Sequence, residues 1–338
     1  MRDIAVFLIV FGLLPLVLKR PQVGIYLWSW LSYMNPHRMT WGFAVSFPFA
    51  QIVAIVTLIA VVAWKEPKRI PVTGLTCLWG FFILWMGVTT IFSYYPEFAW
   101  TKLVLVLKIQ LVTVLTIILI KNKKDLDTLI WVIAMSIGFF SIKGGIFTIM
   151  TLGGFRVWGP PGSFIADNNA LAVASFMIVP LMYYLYVQSD RVIVKNALLV
   201  GMLLTIISAF GSQSRGALIA AGATGAYFWW NTPHKFVVGV AVLAIFAGIL
   251  GFMPDTWWDR MYTILEYEED GSAMGRIAAW TLAFNVANAE IFGAGFDFWG
   301  PEMFRKFSSN PDHWDKTVAA HSIYFTSLGE HGWLGLVG

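Results

Sequence analysis

Charge is scarce in this chain. Asp, Glu, Lys and Arg make up 12% of 338 residues, about half of the roughly 25% typical of soluble domains. That shortage excludes a water-soluble enzyme. Cysteine is nearly absent: Cys77 alone, inside an apolar run, can build neither a disulfide framework nor a thiolate metal site, and it reads as a small buried residue. No Walker-type glycine loop, dinucleotide fingerprint, His-Glu-x-x-His or Gly-x-Ser-x-Gly occurs, so energy has to arrive with the substrate or from a gradient. Neither a fixed-period repeat nor a low-complexity tract is visible. The first apolar run is followed by Lys19 and Arg20 with no small-residue cleavage site before them, which reads as a retained span rather than a signal peptide.

What is abundant is apolar sequence, at 58% hydrophobic residues and a mean hydropathy of +0.71. A helical span takes about 20 apolar residues. Runs suited to spanning fall near 4–18, 22–34, 44–64, 73–92, 104–120, 128–150, 168–187, 195–209, 215–230 and 234–253, with a further run opening at His321. The expected fold class is all-α, a polytopic membrane helix bundle of about 10–12 spans with one large extracytoplasmic loop. The expected organisation is an N-terminal multispan region over 1–150, a second group of spans over 151–253, the loop over 254–320, and the start of another span over 321–338. Ending inside an apolar run, the chain reads as continuing past Gly338. Gly216, Gly222 and Gly225 predict close helix packing in the ninth run.

Basic loops set the orientation. Lys65–Arg69, Lys121–Lys124, the Arg191–Lys195 connection and His234-Lys235 separate alternate pairs of spans and belong on the cytoplasmic side. The excess of 23 basic over 19 acidic residues is therefore read as loop charge, not as a nucleic-acid surface. Segments 93–103, 151–167, 211–215 and 254–320 then face outward. The last carries eleven acidic residues against five basic ones, whereas the rest of the chain has 18 basic and 8 acidic. Trp257, Trp258 and Tyr262 at its start suit a membrane interface. Glu266–Ser272 reads as a turn and helix cap, and Ile277, Trp280, Phe284 and Ile291 predict an amphipathic helix from Arg276 to Phe292.

Three outward segments carry residues suited to chemistry. In the first, His321-Ser322, nine residues, Gly332, two residues and Gly335 would place His321 on one helical face above Phe325, Leu328 and two glycines; a cap or interface histidine is the plain alternative. In Gly211-Ser-Gln-Ser-Arg215-Gly216, Arg215 is either a snorkelling anchor or a phosphate clamp, because a guanidinium presents a fixed fork of donors. Arg276 offers a second cation on the same side, or is simply a surface arginine. In Gly159-Pro-Pro-Gly162…Asp167-Asn-Asn169, Asp167 or Asn168 fits the N-cap of the seventh helix, while the outward position beside Arg156 allows Arg156, Asp167 and Asn169 a substrate-facing role. Lys108 lies inside a span, where an ionisable residue is a functional candidate by default.

Together these pieces resemble the O-antigen ligase and polymerase superfamily, in particular the O-glycosylation ligases associated with the exosortase system. The resemblance rests on the N-terminal multispan region, Asp167-x-Asn169-x-x-Ala172, Ser214-Arg215-Gly216, the large outer loop and above all His321-Ser322-x9-Gly332-x2-Gly335; Asn168 stands where many relatives have proline. It implies transfer of a glycan from undecaprenyl diphosphate to an acceptor hydroxyl, on a lipid A-core sugar or a protein Ser/Thr, at the periplasmic face of a bacterial inner membrane. It implies inversion at the anomeric carbon and no cofactor, nucleotide or metal. Arg215 and Arg276 would hold the diphosphate, and His321 would be the base. The partners so implied are the lipid-linked donor, the acceptor and membrane lipids, with no nucleic acid. A polysaccharide polymerase or a lipid-linked sugar transporter remains the alternative.

Overall fold

Long apolar stretches bounded by capping residues leave the backbone one economical solution, the α-helix, in which every interior N–H and C=O is paired within the segment. The computed structural model describes residues 1–262 and 271–338, and among them there is no strand. The helices are α1 (Arg2–Lys19), α2 (Gln22–Tyr33), α3 (Phe49–Ala63), α4 (Gly74–Ile91), α5 (Pro96–Leu119), α6 (Lys123–Met150), α7 (Asn168–Gln188), α8 (Val192–Gly211), α9 (Arg215–Asn231), α10 (Lys235–Phe252), α11 (Asp255–Tyr262), α12 (Gly271–Ala289), α13 (Pro301–Phe307) and α14 (Ile323–Val337). Their starts are legible: Thr73 and Thr76 form a reciprocal capping box on α4, Asn122 caps α6, and the Asp167 carboxylate caps α7 by accepting from the Asn169 and Ala170 amides. Six helices, α4 to α8 and α10, are long and apolar enough to cross a membrane. The chain is an all-helical polytopic bundle. The eighth run extends further than its apolar core, to 20 residues, while α2 has only 12, about 18 Å of rise.

The helices sort into two units, one of Met1–Pro67 with Leu119–Ile264 and the other of Lys68–Ile118 with Leu265–Gly338. In the first, α6, α7 and α8 pack around Ala134, Ile137, Ile178, Met182, Leu198 and Met202. Close approach here belongs to α6 and α8 rather than to the ninth run: a Cβ on Gly145 would overlap the Leu204 carbonyl, whereas one on Gly222 would meet open space and one on Gly225 only the Val242 side chain. Because backbone cannot move aside cheaply, Gly145→Ala is expected to lower stability by the roughly 1–3 kcal/mol of an overpacked interior. Gly222→Ala, tested beside it by thermal melting in detergent, is expected to leave the midpoint unchanged or raised.

The aromatic start of the 254–320 segment also differs from expectation. Trp257 is 1% exposed and donates its indole N–H to the Phe210 carbonyl at 3.1 Å. It is a core residue: Trp257 and Met261 lie one turn apart on the buried face of α11, leaving Tyr262 outward.

In the second unit α12 packs on α14, and the core comprises Ala278, Ala279, Leu282, Val286, Ala294, Phe298, Met303 and Phe304. The buried face of α12 is thus made of small residues, while Ile277 and Phe284 point outward and Ile291 lies beyond the helix end. Of the expected face only Trp280 packs against this core, because α14 approaches closely over the small residues: a Cβ on Gly329 would press on the Phe298 ring and the Ala283 methyl. Cys77 is exposed rather than buried. Buried Met86 on α4 is nine positions further on, and at 100° per residue that is two and a half turns, which places the two on opposite faces. The expected turn and cap over Glu266–Ser272 lie outside the described residues, apart from the backbone at the start of α12.

Candidate functional site

In the first unit the junction between α8 and α9 is held from three sides. The Val157 amide donates to the Gly211 carbonyl at 3.0 Å, and the Gln213 side chain donates to the Gly153 carbonyl at 3.2 Å. From α7, the Asn168 amide donates to the Ser212 carbonyl at 2.9 Å, and the Ser214 hydroxyl donates to the Asn169 carbonyl oxygen at 2.7 Å. From α11, Arg260 Nε donates to the Gln213 carbonyl at 2.9 Å. Gln213 itself adopts φ +54°, a left-handed turn that an ordinary residue takes only where its surroundings over-determine it.

The outcome is that α9 begins at Arg215 beside the N-terminus of α7. Four of the residues singled out in the sequence meet here. Arg215 is the first residue of α9, Asn169 bonds its N-cap Ser214, Asp167 caps α7 one turn away, and Arg156 precedes Val157 with its guanidinium 5.7 Å from the Trp158 ring. Asp167 performs the capping role that its position suggested. Arg260 was missed because it sits in a polar stretch where no periodicity marks it.

The second unit holds Arg276 and His321. Gly275 abuts Val318, and one turn on from Arg276 the Trp280 indole donates to the Ala320 carbonyl at 2.7 Å, while its ring stacks on Phe325 at 4.9 Å. The chain leading into His321 therefore runs along the turn of α12 that bears Arg276. Arg276 Nε is buried with no hydrogen-bond partner among the described residues, a donor kept from water and available to an anion. His321 is exposed, with φ +47°.

This corrects the helical-face reading. α14 starts only at Ile323, after N-cap Ser322, so His321 stands before the helix on a left-handed turn instead of above Phe325. Nor do Gly332 and Gly335 continue one ideal face. Gly332 has φ +69° and ψ −170°, breaking the helix where a Cβ would strike the Ile291 carbonyl. Lys108 sits midway along α5, exposed, and makes no hydrogen bond or ion pair among the described residues.

Two clusters in this unit escaped the sequence reading. Glu330 is 5% exposed, and its Oε1 accepts from the Asp297 amide at 3.1 Å and from the Trp299 indole at 3.3 Å. The Gly295 amide bonds the Glu330 carbonyl at 3.0 Å, so this side chain and its backbone fasten the 294–299 loop to α14. Beside it, His331 Nδ1 pairs with the Thr89 hydroxyl at 2.7 Å. An adjacent acid and imidazole inside an apolar run were themselves the available signal. Glu330→Leu is expected to strand two part-buried donors, at a cost of about 1–3 kcal/mol in total, lowering the melting midpoint and speeding amide exchange over 294–299. Glu330→Gln, which retains an acceptor oxygen, should stay much nearer wild type.

The other cluster joins the α4–α5 connection to α12 and α13. The Tyr94 hydroxyl donates to Glu290 Oε1 and accepts from Lys306 Nζ at 2.7 Å, and the Tyr95 hydroxyl donates to Glu302 Oε2 at 2.9 Å. The Tyr94 bond holds the Lys306 ammonium above its ordinary value. Burial, and then the Glu302 carboxylate, push the Tyr95 phenol up to about 12. These residues are scattered over more than 200 positions, with no local pattern to join them.

Comparison with known proteins agrees with the resemblance at the level of the superfamily. Residues 1–190 match a family of unknown function (DUF5935), and residues 200–338 match the O-antigen ligase family. No curated protein and no solved structure matches the chain. The ligase match encloses Arg215, Arg276 and His321. Through its N-terminal half the chain belongs to that family of unknown function, and through the domain that follows it belongs to the O-antigen ligase superfamily of multi-pass membrane glycan ligases.

Proposed function

We propose that this chain transfers a glycan from undecaprenyl diphosphate to an acceptor hydroxyl, on a lipid A-core sugar or a protein serine or threonine, at the periplasmic face of a bacterial inner membrane. The observation that carries the reading is the ligase-family match over 200–338, which contains an arginine at a helix start, an arginine whose buried Nε has no partner among the described residues, and an exposed histidine. The exosortase-associated branch is the family setting proposed for it.

In the proposed reaction the acceptor oxygen attacks the anomeric carbon from the side opposite the diphosphate. The new C–O bond forms as the bond to the phosphate oxygen breaks, inverting the configuration. His321 takes the hydroxyl proton on a ring nitrogen, a general-base contribution of about 10²–10⁴-fold. The departing electron pair stays on the diphosphate, a leaving group that needs neutralisation rather than protonation, and Arg215 and Arg276 supply it with permanently charged forks. Arg156, Asp167 and Asn169 border the Arg215 turn and are assigned to contacts with the donor. The reaction as written draws its energy from the diphosphate linkage and calls for neither nucleotide nor metal.

The test uses a ligase-deficient Gram-negative host that supplies lipid-linked O-antigen, with glycan probed on lipopolysaccharide and on protein. Label on lipopolysaccharide marks a lipid A-core acceptor, and label on protein marks an O-oligosaccharyltransferase. Longer lipid-linked chains with neither product would mark a polymerase. No glycan product of any kind would reject the reading, as would a retained anomeric configuration for the inverting step.

A further inference from the structure

The Tyr94–Glu290–Lys306 cluster opens onto a cavity of about 260 Å³ lined by Phe92, Ser93, Tyr94, Glu290, Phe292 and Gly293. That is below the roughly 300–1,000 Å³ of clefts enclosing drug-sized ligands, a size for one ring rather than an extended chain. Phe92 and Phe292 stack at 4.3 Å with their planes 9° apart and present carbon surface to the space. Glu290 has one oxygen engaged by Tyr94, and among the described residues its Oε2 accepts no hydrogen bond. Lys306 lies 4.4 Å from the centroid of the Tyr94 ring and bonds that hydroxyl.

We infer that this cavity is a glycan subsite that seats one pyranose ring, with its hydroxyls on Glu290 and its C–H face on Phe92 and Phe292. The chemistry selects against other ligands. The Lys306 ammonium, joined to Glu290 through the Tyr94 hydroxyl, offsets the carboxylate, so a free cation gains little, while the cavity wall itself carries, among the described residues, no cationic side chain to hold a phosphate. A neutral ring with hydroxyls on its edge and carbon on its face matches both walls, since a carboxylate is a strong acceptor and aromatic carbon a good apolar partner. The 293–299 loop behind the cavity is the one fastened by Glu330, which gives the wall a fixed geometry. The sugar's source, donor or acceptor glycan, rests on the ligase reading.

The experiment titrates the full chain in lipid nanodiscs with two free probes, the O-antigen oligosaccharide and the lipopolysaccharide core oligosaccharide. Wild type is expected to bind one of them, the former identifying a donor subsite and the latter an acceptor subsite. Glu290→Gln should weaken that binding about tenfold, the loss expected when a charged acceptor becomes neutral. Should that variant melt early, Phe92→Leu, at a ring 54% exposed, tests the same cavity and should also weaken binding. Binding of neither probe, or equal binding in both variants, overturns the inference. Glu290-dependent binding without any His321-dependent transfer would sustain the subsite and sink the ligase reading. His321-dependent transfer with Glu290-independent binding would do the reverse.

Discussion

Replacement of His321 by alanine is expected to lower glycan transfer by about 10²–10⁴-fold while the protein still inserts and melts as wild type. The acceptor hydroxyl is a poor nucleophile, and an exposed imidazole without a partner among the described residues is free to meet it. The position also carries a backbone role, because φ is +47° there and the turn feeds N-cap Ser322. His321→Asn separates the two roles, since asparagine tolerates the left-handed region but supplies no base. Both variants should lose transfer alike, read as label on lipopolysaccharide and protein in the ligase-deficient host. Wild-type transfer by the asparagine variant would assign His321 to the turn and leave the base elsewhere.

The second large effect is expected at the arginines. Arg215→Lys and Arg276→Lys each preserve charge and should still reduce transfer by about 10²–10³-fold, the usual loss when one preorganised donor to a developing anion is removed. A lysine ammonium is a point charge and cannot reproduce a planar fork on two phosphate oxygens. At Arg276 the argument has a further structural part: lysine has no counterpart to the buried Nε. At Arg215 the competing role is that of a membrane anchor, for which lysine serves as well as arginine. Transfer at the wild-type rate in Arg215→Lys, with normal membrane yield, would therefore settle that position as an anchor.

Three helices show how packing overrides pattern. The sequence of α12 offers Ile277, Trp280, Phe284 and Ile291 at nearly helical spacing, and large apolar residues ordinarily mark the buried side. The structure buries Ala278, Ala279, Leu282, Ala283 and Val286 instead. Small side chains there let the backbone of α14 come close, and that close packing decides which face is buried. The same physics moves the close contact from the glycines of α9 to Gly145 and Leu204 on α6 and α8. In α14 it places a break at Gly332, where the Ile291 carbonyl takes the space of a side chain.

The sequence by itself determined that the chain is all-helical and polytopic, because apolar runs of this length leave only the helix to pair their backbone groups. It also placed the start of the seventh helix at Asp167 or Asn168, since a cap needs only residues a few positions apart. His321 and Arg215 were legible as polar residues at run ends and Arg276 as a cation at the head of the loop helix, and the family match encloses all three. Tertiary structure alone decided that Asn168, Asn169 and Arg260 hold the turn before Arg215, that Trp280 steers the approach to His321, and that Tyr94, bonded by Lys306, lines one cavity with Glu290. Each of these joins residues at least 40 positions apart. Periodicity and capping are rules of one helical turn, whereas such contacts depend on which face of each helix finds a partner, and that is set by the side-chain volumes of every other element in its unit.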